Sequence, residues 1–218
     1  MIAEERMFED RPALASALAQ DVAGELAAAI ATHGAAVLAV SGGSTPKLFF
    51  AALSEAAVDW PKVRVTLVDE RQAPESSERS NARLVRAHLL QGKAAAATFV
   101  PLYLNPAAAA LPGFDVAVLG MGNDGHTASF FPGGDRLAEA LTPLNGERLI
   151  EIAAPGAGEP RLTFTLPALE QARSLKLHIE GQDKRQVLAR ALGPGPVEEM
   201  PVRALLRGSK PITLYWCP

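Results

Sequence analysis

A short apolar run in the middle of this chain is followed directly by several glycines. Residues 116–119 read Val-Ala-Val-Leu, and Gly120, Gly122 and Gly125 follow, with an acid and a histidine around the last of them. The run predicts a buried strand, and the glycines predict a loop whose backbone amides lie at the carboxyl edge of a sheet. In open α/β folds, ligands bind at that edge. The segment is therefore the first candidate for a functional site.

Three interpretations of this segment compete. The glycines spell G-x-G-x-x-G, which is typical of dinucleotide binding, but that fold needs a long helix at the third glycine and an acid that ends the next strand. Here Pro132, Gly133 and Gly134 stop any helix early. A tight turn with a solvated acid and histidine is the second interpretation. We favour the third, in which His126 acts as a base or acid near neutral pH and Asp124 holds it.

The length, composition and charge of the chain indicate which class of protein it belongs to. The chain has 218 residues, of which 48% are hydrophobic and 21% charged, and its formal net charge is -3. These values predict one globular domain over residues 1–218 and argue against nucleic acid as a partner. No signal-peptide core and no membrane span are recognisable, so we expect a cytoplasmic protein, and we expect it to be a monomer. Cys217 is the single cysteine, which excludes an intrachain disulfide.

Apolar runs and helical periodicity alternate along the chain. Apolar residues recur every four positions from Leu14 to Ile30, which predicts a helix that ends at Gly34. Further strands are predicted at residues 35–40, 63–68, 99–104, 148–153, 175–180 and 212–216. The sequence therefore predicts an α/β fold with a doubly wound, largely parallel, Rossmann-like sheet and helices on both faces. The strand at 175–180 alternates apolar with polar residues, which predicts one wetter face and no catalytic role for His178.

The loop after the strand at 35–40 has the composition of an anion site. It contains hydroxyl groups and glycines in the order Ser41, Gly42, Gly43, Ser44, Thr45. Pro46 fits the first turn of the helix that follows, so free amides, hydroxyl donors and the positive helix end converge there. The loop lacks the lysine and spacing of a nucleotide P-loop, which favours a single phosphate. A plain turn between a strand and a helix is the alternative.

Charged residues occupy two further element ends. Asp69, Glu70 and Arg71 follow the strand at 63–68, where a surface turn explains them as well as a site does. Lys184 lies in the first turn of a predicted helix after Gly181. A cation in that position opposes the helix dipole, so it indicates an anion bound nearby.

Three segments, in order along the chain, resemble the family of glucosamine-6-phosphate isomerases and 6-phosphogluconolactonases, and its lactonase branch in particular. They are SGGSTP at 41–46, DERQAP at 69–74 with SN at 80–81, and GMGNDGHTASFFP at 120–132. RLTFTLPAL from Arg161 and GQDK ending at Lys184 agree more weakly. Each motif is short, but the ordered set is specific.

The resemblance implies a fold like that of the phosphosugar isomerases and hydrolysis of 6-phospho-D-glucono-1,5-lactone to 6-phospho-D-gluconate, in the oxidative pentose phosphate pathway. It implies no required cofactor. The chain has no H-E-x-x-H or paired-cysteine motif, so we expect no metal. His126 would be the catalytic residue with Asp124 beside it, and Arg71 would face the substrate. The loop at 41–45 would hold the phosphate together with Arg161 and Lys184. Two further residues complete the expected substrate-binding set, namely Asp69 and Gly122. Arg71 or glycine amides near Gly122 are the candidates for stabilising the oxyanion.

Isomerisation with deamination of glucosamine 6-phosphate is the alternative activity. The isomerases resemble this chain at Asp-Gly-His but carry a glutamate five residues after the histidine, where this chain has Phe131. They also tend to have an aromatic residue after Asp-Glu, where this chain has Arg71. Both differences favour the lactonase. A non-catalytic sugar-phosphate sensor is the third possibility, although no DNA-binding segment accompanies it.

Overall fold

Strands and helices alternate through the chain in the computed structural model, which describes residues 1–218. The helices are α1 (Arg11–His33), α2 (Lys47–Ser54), α3 (Asn81–His88), α4 (Leu137–Leu141), α5 (Leu166–Glu170), α6 (Gln182–Leu192) and α7 (Val202–Arg207). The strands are β1 (Ile2–Met7), β2 (Ala36–Val40), β3 (Val63–Leu67), β4 (Asp69–Arg71), β5 (Thr98–Val100), β6 (Val116–Leu119), β7 (Leu149–Ile152), β8 (Arg161–Phe164), β9 (Ser174–Glu180) and β10 (Ile212–Cys217).

Seven strands form one fully parallel sheet in the order β1-β10-β9-β6-β2-β3-β5. From β2 the chain adds β3 and β5 on one side, and it then returns to add β6, β9 and β10 on the other. The direction of winding thus reverses between β2 and β6. Such a reversal opens a crevice at the carboxyl ends of the two strands. The prediction of an α/β fold with a doubly wound, largely parallel sheet is confirmed.

The central strands lie in the core, and α1 packs on them. Every residue of β2 and β6 is buried, as expected for a parallel sheet covered on both faces. The predicted stripe of α1 is buried from Leu14 to Leu26, and Gly34 ends the helix in a left-handed conformation with φ 80°. By length and composition alone, α1 could also cross a membrane. In the structure, its apolar stripe is the face that packs into the core.

Three strands form a second sheet, which the sequence analysis does not predict. β4, β8 and β7 pair antiparallel in that order, with Arg71 of β4 opposite Arg161 of β8. The strand predicted at 148–153 exists as β7, but it belongs to this sheet. Residues 153–160 between β7 and β8 are rich in glycine and proline and too short for the helical crossover that parallel pairing needs. The alternative prediction of a surface turn at Asp69 and Glu70 is also wrong, because both residues are buried within β4.

Two details of the predicted strands are wrong. Lys176 and His178 on β9 are only 2% and 3% exposed, so β9 has no wetter face. Because β9 lies inside the sheet, its polar side chains pair with carboxylates instead of reaching water, as when Lys176 Nζ donates to Glu25 Oε1 of α1 at 2.9 Å. The strand predicted at 99–104 ends at Val100. The next residue, Pro101, has no N–H to continue the pairing with β3.

A buried carboxylate ties the second sheet to α3. Glu70 is 0% exposed and accepts four hydrogen bonds, from Arg71 N (2.7 Å), Asn81 N (2.8 Å), Ala82 N (2.7 Å) and Ser80 Oγ (3.1 Å). Two of these donors are the first amides of α3, which have no partner inside the helix. Burial raises the pKa of Glu70, while the four donors favour the ionised carboxylate. The contact fixes β4 against α3 and so places Arg71 and Asn81.

Glu70→Gln should destabilise the protein without changing the size of the side chain. One of the two carboxylate oxygens becomes an NH₂ group that faces donors, so two hydrogen bonds are lost and buried donors are left unpaired. We expect unfolding in urea to show a loss of about 2–4 kcal/mol. Glu78→Gln on the neighbouring loop, which is exposed, is the matched control and should stay within about 0.5 kcal/mol of the wild type. Equal stability of the two variants would contradict the assigned role of Glu70.

Candidate active site

A cleft lies at the reversal of the sheet, between the loop after β2 and the loop after β6. Ser41 joins the two loops, because its Oγ donates to Val118 O (3.1 Å) and accepts from Gly120 N (3.0 Å). The cleft has a volume of about 340 Å³. Asn81 of α3 closes one side and packs directly against Gly42, where an added Cβ would lie 1.8 Å from Asn81 Oδ1. A larger residue at this position would therefore have to displace the side chain of Asn81.

The structure brings nearly all the predicted site residues to this one cleft. Eleven of the twelve predicted residues line it, namely Ser41, Gly42, Gly43, Ser44, Thr45, Asp69, Arg71, Gly122, His126, Arg161 and Lys184. They come from five separate parts of the chain. The exception is Asp124, which contacts the cleft through His126 rather than lining it.

His126 and Asp124 form a hydrogen-bonded pair. His126 Nδ1 lies 2.6 Å from Asp124 Oδ1, and the same oxygen accepts from His126 N at 3.1 Å. Burial raises the pKa of Asp124, but the hydrogen bond and charge of His126 outweigh it and hold this pKa below its usual value. With Nδ1–H donating to the carboxylate, Nε2 is left as the basic nitrogen. Gly122 lies against both side chains, since a Cβ there would be 2.1 Å from His126 Nδ1.

An aromatic side chain completes the surroundings of the imidazole. The ring centroids of His126 and Phe131 are 4.1 Å apart, with an angle of 29° between their planes. The guanidinium carbon of Arg161 lies 5.4 Å from the centre of the same Phe131 ring. Phe131 therefore contacts both His126, on the loop after β6, and Arg161, on β8.

Cationic side chains with unused donors line the cleft. Arg71 Nη1 donates to Asn81 Oδ1 (2.7 Å), and Arg161 Nη2 donates to Ala157 O (2.6 Å). The Nε atoms of Arg71 and Arg161 are both buried and have no hydrogen-bond partner. Burial lowers the pKa of Arg161, and it also lowers that of Lys184, whose Nζ donates to Met121 O at 2.6 Å. Since Arg71, Arg161 and Lys184 all line the cleft, their positive charges suit an anionic ligand.

The wall that carries Arg161 is held by a separate set of polar contacts. Asp69 Oδ2 accepts from Ser129 Oγ at 2.6 Å and lies 3.9 Å from Arg161 Nη1. Ser129 belongs to the same loop as His126. The second sheet and the loop after β6 are therefore joined beside the cleft, which fixes the position of Arg161 relative to His126.

The glycine amides near Gly122 make hydrogen bonds within the protein. Gly122 N donates to His126 O at 2.8 Å, and Gly120 N donates to Ser41 Oγ. Both amides are therefore already occupied and cannot stabilise an oxyanion in this arrangement. Of the two candidates raised by the sequence, only Arg71 retains an unused donor.

Several residues that line the cleft are missing from the predicted set, among them Arg79, Asn81, Phe131 and His178. Asn81 lies within a motif that carries the family resemblance, which is a signal that could have found it. His178 is missed because its strand pattern predicts a solvent-facing side chain without a catalytic role. Arg79 lies in a polar loop and is held there by Glu159 at 2.8 Å, a contact that no local pattern predicts.

No metal site accompanies the cleft. The structure contains no group of three or more histidine, cysteine, aspartate or glutamate side chains that could hold a metal ion. Cys217 is buried in β10, away from the residues that line the cleft, and burial raises the pKa of its thiol.

Comparison with known proteins gives a consistent set of relatives. The sequence profile of the family described as Glucosamine-6-phosphate isomerases/6-phosphogluconolactonase matches residues 9–216. The 6-phosphogluconolactonase of Rhizobium meliloti is 55% identical over 232 residues, covering 100% of both chains, and that of Mesorhizobium japonicum is 53% identical over 97% of this chain and 94% of its own. The crystal structure of a 6-phosphogluconolactonase from Shewanella baltica is 38% identical and matches with a TM-score of 0.93, over 99% of this chain and 97% of that one. The chain therefore belongs to the family of glucosamine-6-phosphate isomerases and 6-phosphogluconolactonases.

Proposed function

We propose that this protein hydrolyses 6-phospho-D-glucono-1,5-lactone to 6-phospho-D-gluconate, a step of the oxidative pentose phosphate pathway. The observation that carries the proposal is the shared cleft, in which the His126–Asp124 pair faces the same space as Arg71, Arg161 and Lys184. Relatives that share 53–55% of the sequence over nearly the whole chain are named 6-phosphogluconolactonase. A lactone is a cyclic ester, and its phosphate gives a second point of attachment far from the reacting carbon.

In the proposed mechanism, His126 acts as the base. Its Nε2 takes a proton from a water molecule, whose oxygen then attacks the lactone carbonyl carbon. No serine or cysteine lies in a G-x-S-x-G nucleophile elbow, so direct attack by water needs the fewest steps. Asp124 holds Nδ1–H and stabilises the imidazolium that forms. The imidazolium then returns the proton to the ring oxygen as the carbon–oxygen bond breaks, which yields the open acid.

The cations have two roles in this proposal. Arg71 would stabilise the oxyanion with its guanidinium group, because it lines the cleft and the amide of Gly122 is already occupied. Arg161 and Lys184 would bind the phosphate together with the loop at 41–45, whose amides and hydroxyl groups line the same cleft. Anchoring the phosphate holds the carbonyl near His126, which is an effect of positioning.

The alternative activities are less well supported. An isomerase must move a proton between two carbons, and the family's isomerases carry a glutamate where Phe131 packs against His126. A pure sensor has no use for a hydrogen-bonded His–Asp pair that opens on the ligand cleft.

We also infer one domain over residues 1–218, a monomer and a cytoplasmic location. Light scattering of the purified protein tests whether it is a monomer in solution.

The proposal is tested by mixing the purified protein with freshly made phosphogluconolactone and, separately, with glucosamine 6-phosphate. We expect acceleration of lactone opening far above the spontaneous rate and no release of ammonia from the amino sugar. Lactone opening at the spontaneous rate would refute the proposed function. Ammonia release would favour the isomerase activity instead.

His126→Asn should leave the fold intact and lower turnover. The residue lies on a loop, so the substitution removes little buried apolar surface, but it removes the base. We expect kcat to fall by about 10² or more, as is typical for the loss of acid–base catalysis. His33→Asn, at the exposed end of α1, is the matched control and should turn over like the wild type. A His126 variant within a few-fold of wild type would remove this residue from the mechanism.

Lys184→Ala and Arg161→Ala should discriminate between phosphorylated and unphosphorylated substrates. Each should weaken binding of the phosphorylated lactone or product by about 1.5–3 kcal/mol, which is the value of a hydrogen bond to a charged group. Unphosphorylated gluconolactone should be much less affected, because it lacks the group that these cations bind. Lys62→Ala, on an exposed lysine outside the cleft, is the control. Equal losses on both lactones in folded variants would show that the phosphate binds elsewhere.

Activity should survive prolonged treatment with a chelator. The proposed chemistry uses only side chains, and the structure offers no cluster of metal ligands. The measurement is the rate of lactone opening before and after dialysis against chelator. Loss of activity with recovery on addition of zinc would overturn the metal-free mechanism.

A further inference from the structure

Phe131 is buried for a reason other than packing in the core. Its side chain is 5% exposed, yet it lies outside the contiguous group of hydrophobic residues that forms the core of the protein. The preceding residue, Phe130, is fully buried and belongs to that group. The two adjacent phenylalanines on this loop therefore pack in different parts of the protein. Phe131 lines the cleft, and its ring contacts two residues there.

Those contacts join the two ends of the cleft. The imidazole of His126 stacks on Phe131 with 4.1 Å between ring centres and 29° between planes. The guanidinium carbon of Arg161 lies 5.4 Å from the centre of the same ring, at a distance typical of a cation–π contact. The ring of Phe131 therefore contacts both His126, the proposed base, and Arg161, which is proposed to bind the phosphate.

The hydrogen bond to Asp124 does not fix the imidazole by itself. The side chains of Asp124 and His126 are 44% and 29% exposed, and water competes for hydrogen bonds at such positions. One bond at Nδ1 also leaves the ring free to swing about the line that joins the two residues. A flat partner at stacking distance removes this freedom, because the imidazole can then move only within the plane of the stack.

We propose that Phe131 is a positioning residue that holds the imidazole of His126 in its reactive orientation and fixes its distance from Arg161. The catalytic part of this inference rests on the proposed function, whereas the structural part does not. The benzene ring supplies a rigid face for the neutral imidazole and an attractive one for the imidazolium that forms during proton transfer. Arg161 gains a second contact on the wall where Asp69 already holds it.

The test replaces the flat ring by side chains of similar size without a face. Phe131→Leu is the main variant, and Phe131→Met replaces it if the leucine variant does not fold. Phe131→Tyr keeps the aromatic face. The matched control is Phe130→Leu, which makes the same change one residue earlier, in the core. All variants are made in the full chain, labelled with ¹³C-histidine.

The first readout is the NMR signal of the imidazole of His126, which is one of four histidines and is identified by its absence in His126→Asn. A ring stacked on a benzene face is shifted upfield. We expect this shift to be lost in Phe131→Leu and kept in Phe131→Tyr and Phe130→Leu. An unchanged signal in Phe131→Leu would overturn the inference, whether or not the protein is a lactonase.

The second readout is steady-state hydrolysis of the phosphorylated lactone. We expect kcat to fall about tenfold or more in Phe131→Leu, since small displacements of a catalytic group are costly, and to return towards wild type in Phe131→Tyr. Phe130→Leu should lower the melting temperature and leave kcat near wild type. A displaced His126 signal with wild-type kcat in Phe131→Leu would refute the positioning role. So would a tyrosine variant that keeps the signal but loses turnover as the leucine variant does.

The two readouts separate failure of this inference from failure of the proposed function. If the wild type does not open the lactone, the proposed function is wrong, and the NMR comparison alone decides whether Phe131 orients the imidazole. If the wild type is active and Phe131→Leu is equally active, the proposed function stands and the positioning role fails.

Discussion

The parallel pairing of seven strands determines where the loops of this protein lie. Because every strand of this sheet points the same way, every loop that follows a strand lies at one edge. The reversal of winding between β2 and β6 parts two of these loops and leaves a crevice between them. The glycines and hydroxyl groups after β2 and His126 after β6 thus line the same cleft, although about 80 residues of chain separate Ser41 from His126.

The antiparallel sheet forms the second wall of the cleft. It supplies Arg71 and Arg161 on neighbouring strands, and Glu70 fastens it to α3 through four hydrogen bonds. The loop after β6 is joined to it through Ser129 and Asp69. The site therefore has two walls that are built separately and then linked. One wall carries the proposed base, and the other carries cations with unused donors, so an anionic ester fits between them.

The sequence predicts most of this site because its signals are local. An apolar run followed by glycines places a loop at the carboxyl edge, and the residue types in the loop then indicate their chemistry, as for His126 and Lys184. The missing parts depend on distant partners. Nothing near residues 149–164 specifies that β7 and β8 pair with β4 in a sheet of their own. The strand pattern predicts a solvent-facing His178, whereas the structure buries it beside Phe49 of α2. The stack on Phe131 likewise exists only once the loop has folded.

The most direct test of this account is a crystal structure of the protein with 6-phosphogluconate bound. The account predicts the phosphate between Lys184, Arg161 and the loop at 41–45, with the carboxylate beside His126 Nε2 and within hydrogen-bond reach of Arg71. Density for the product in the reverse orientation, with its phosphate at His126, would contradict it. So would a product molecule bound outside the cleft between β2 and β6.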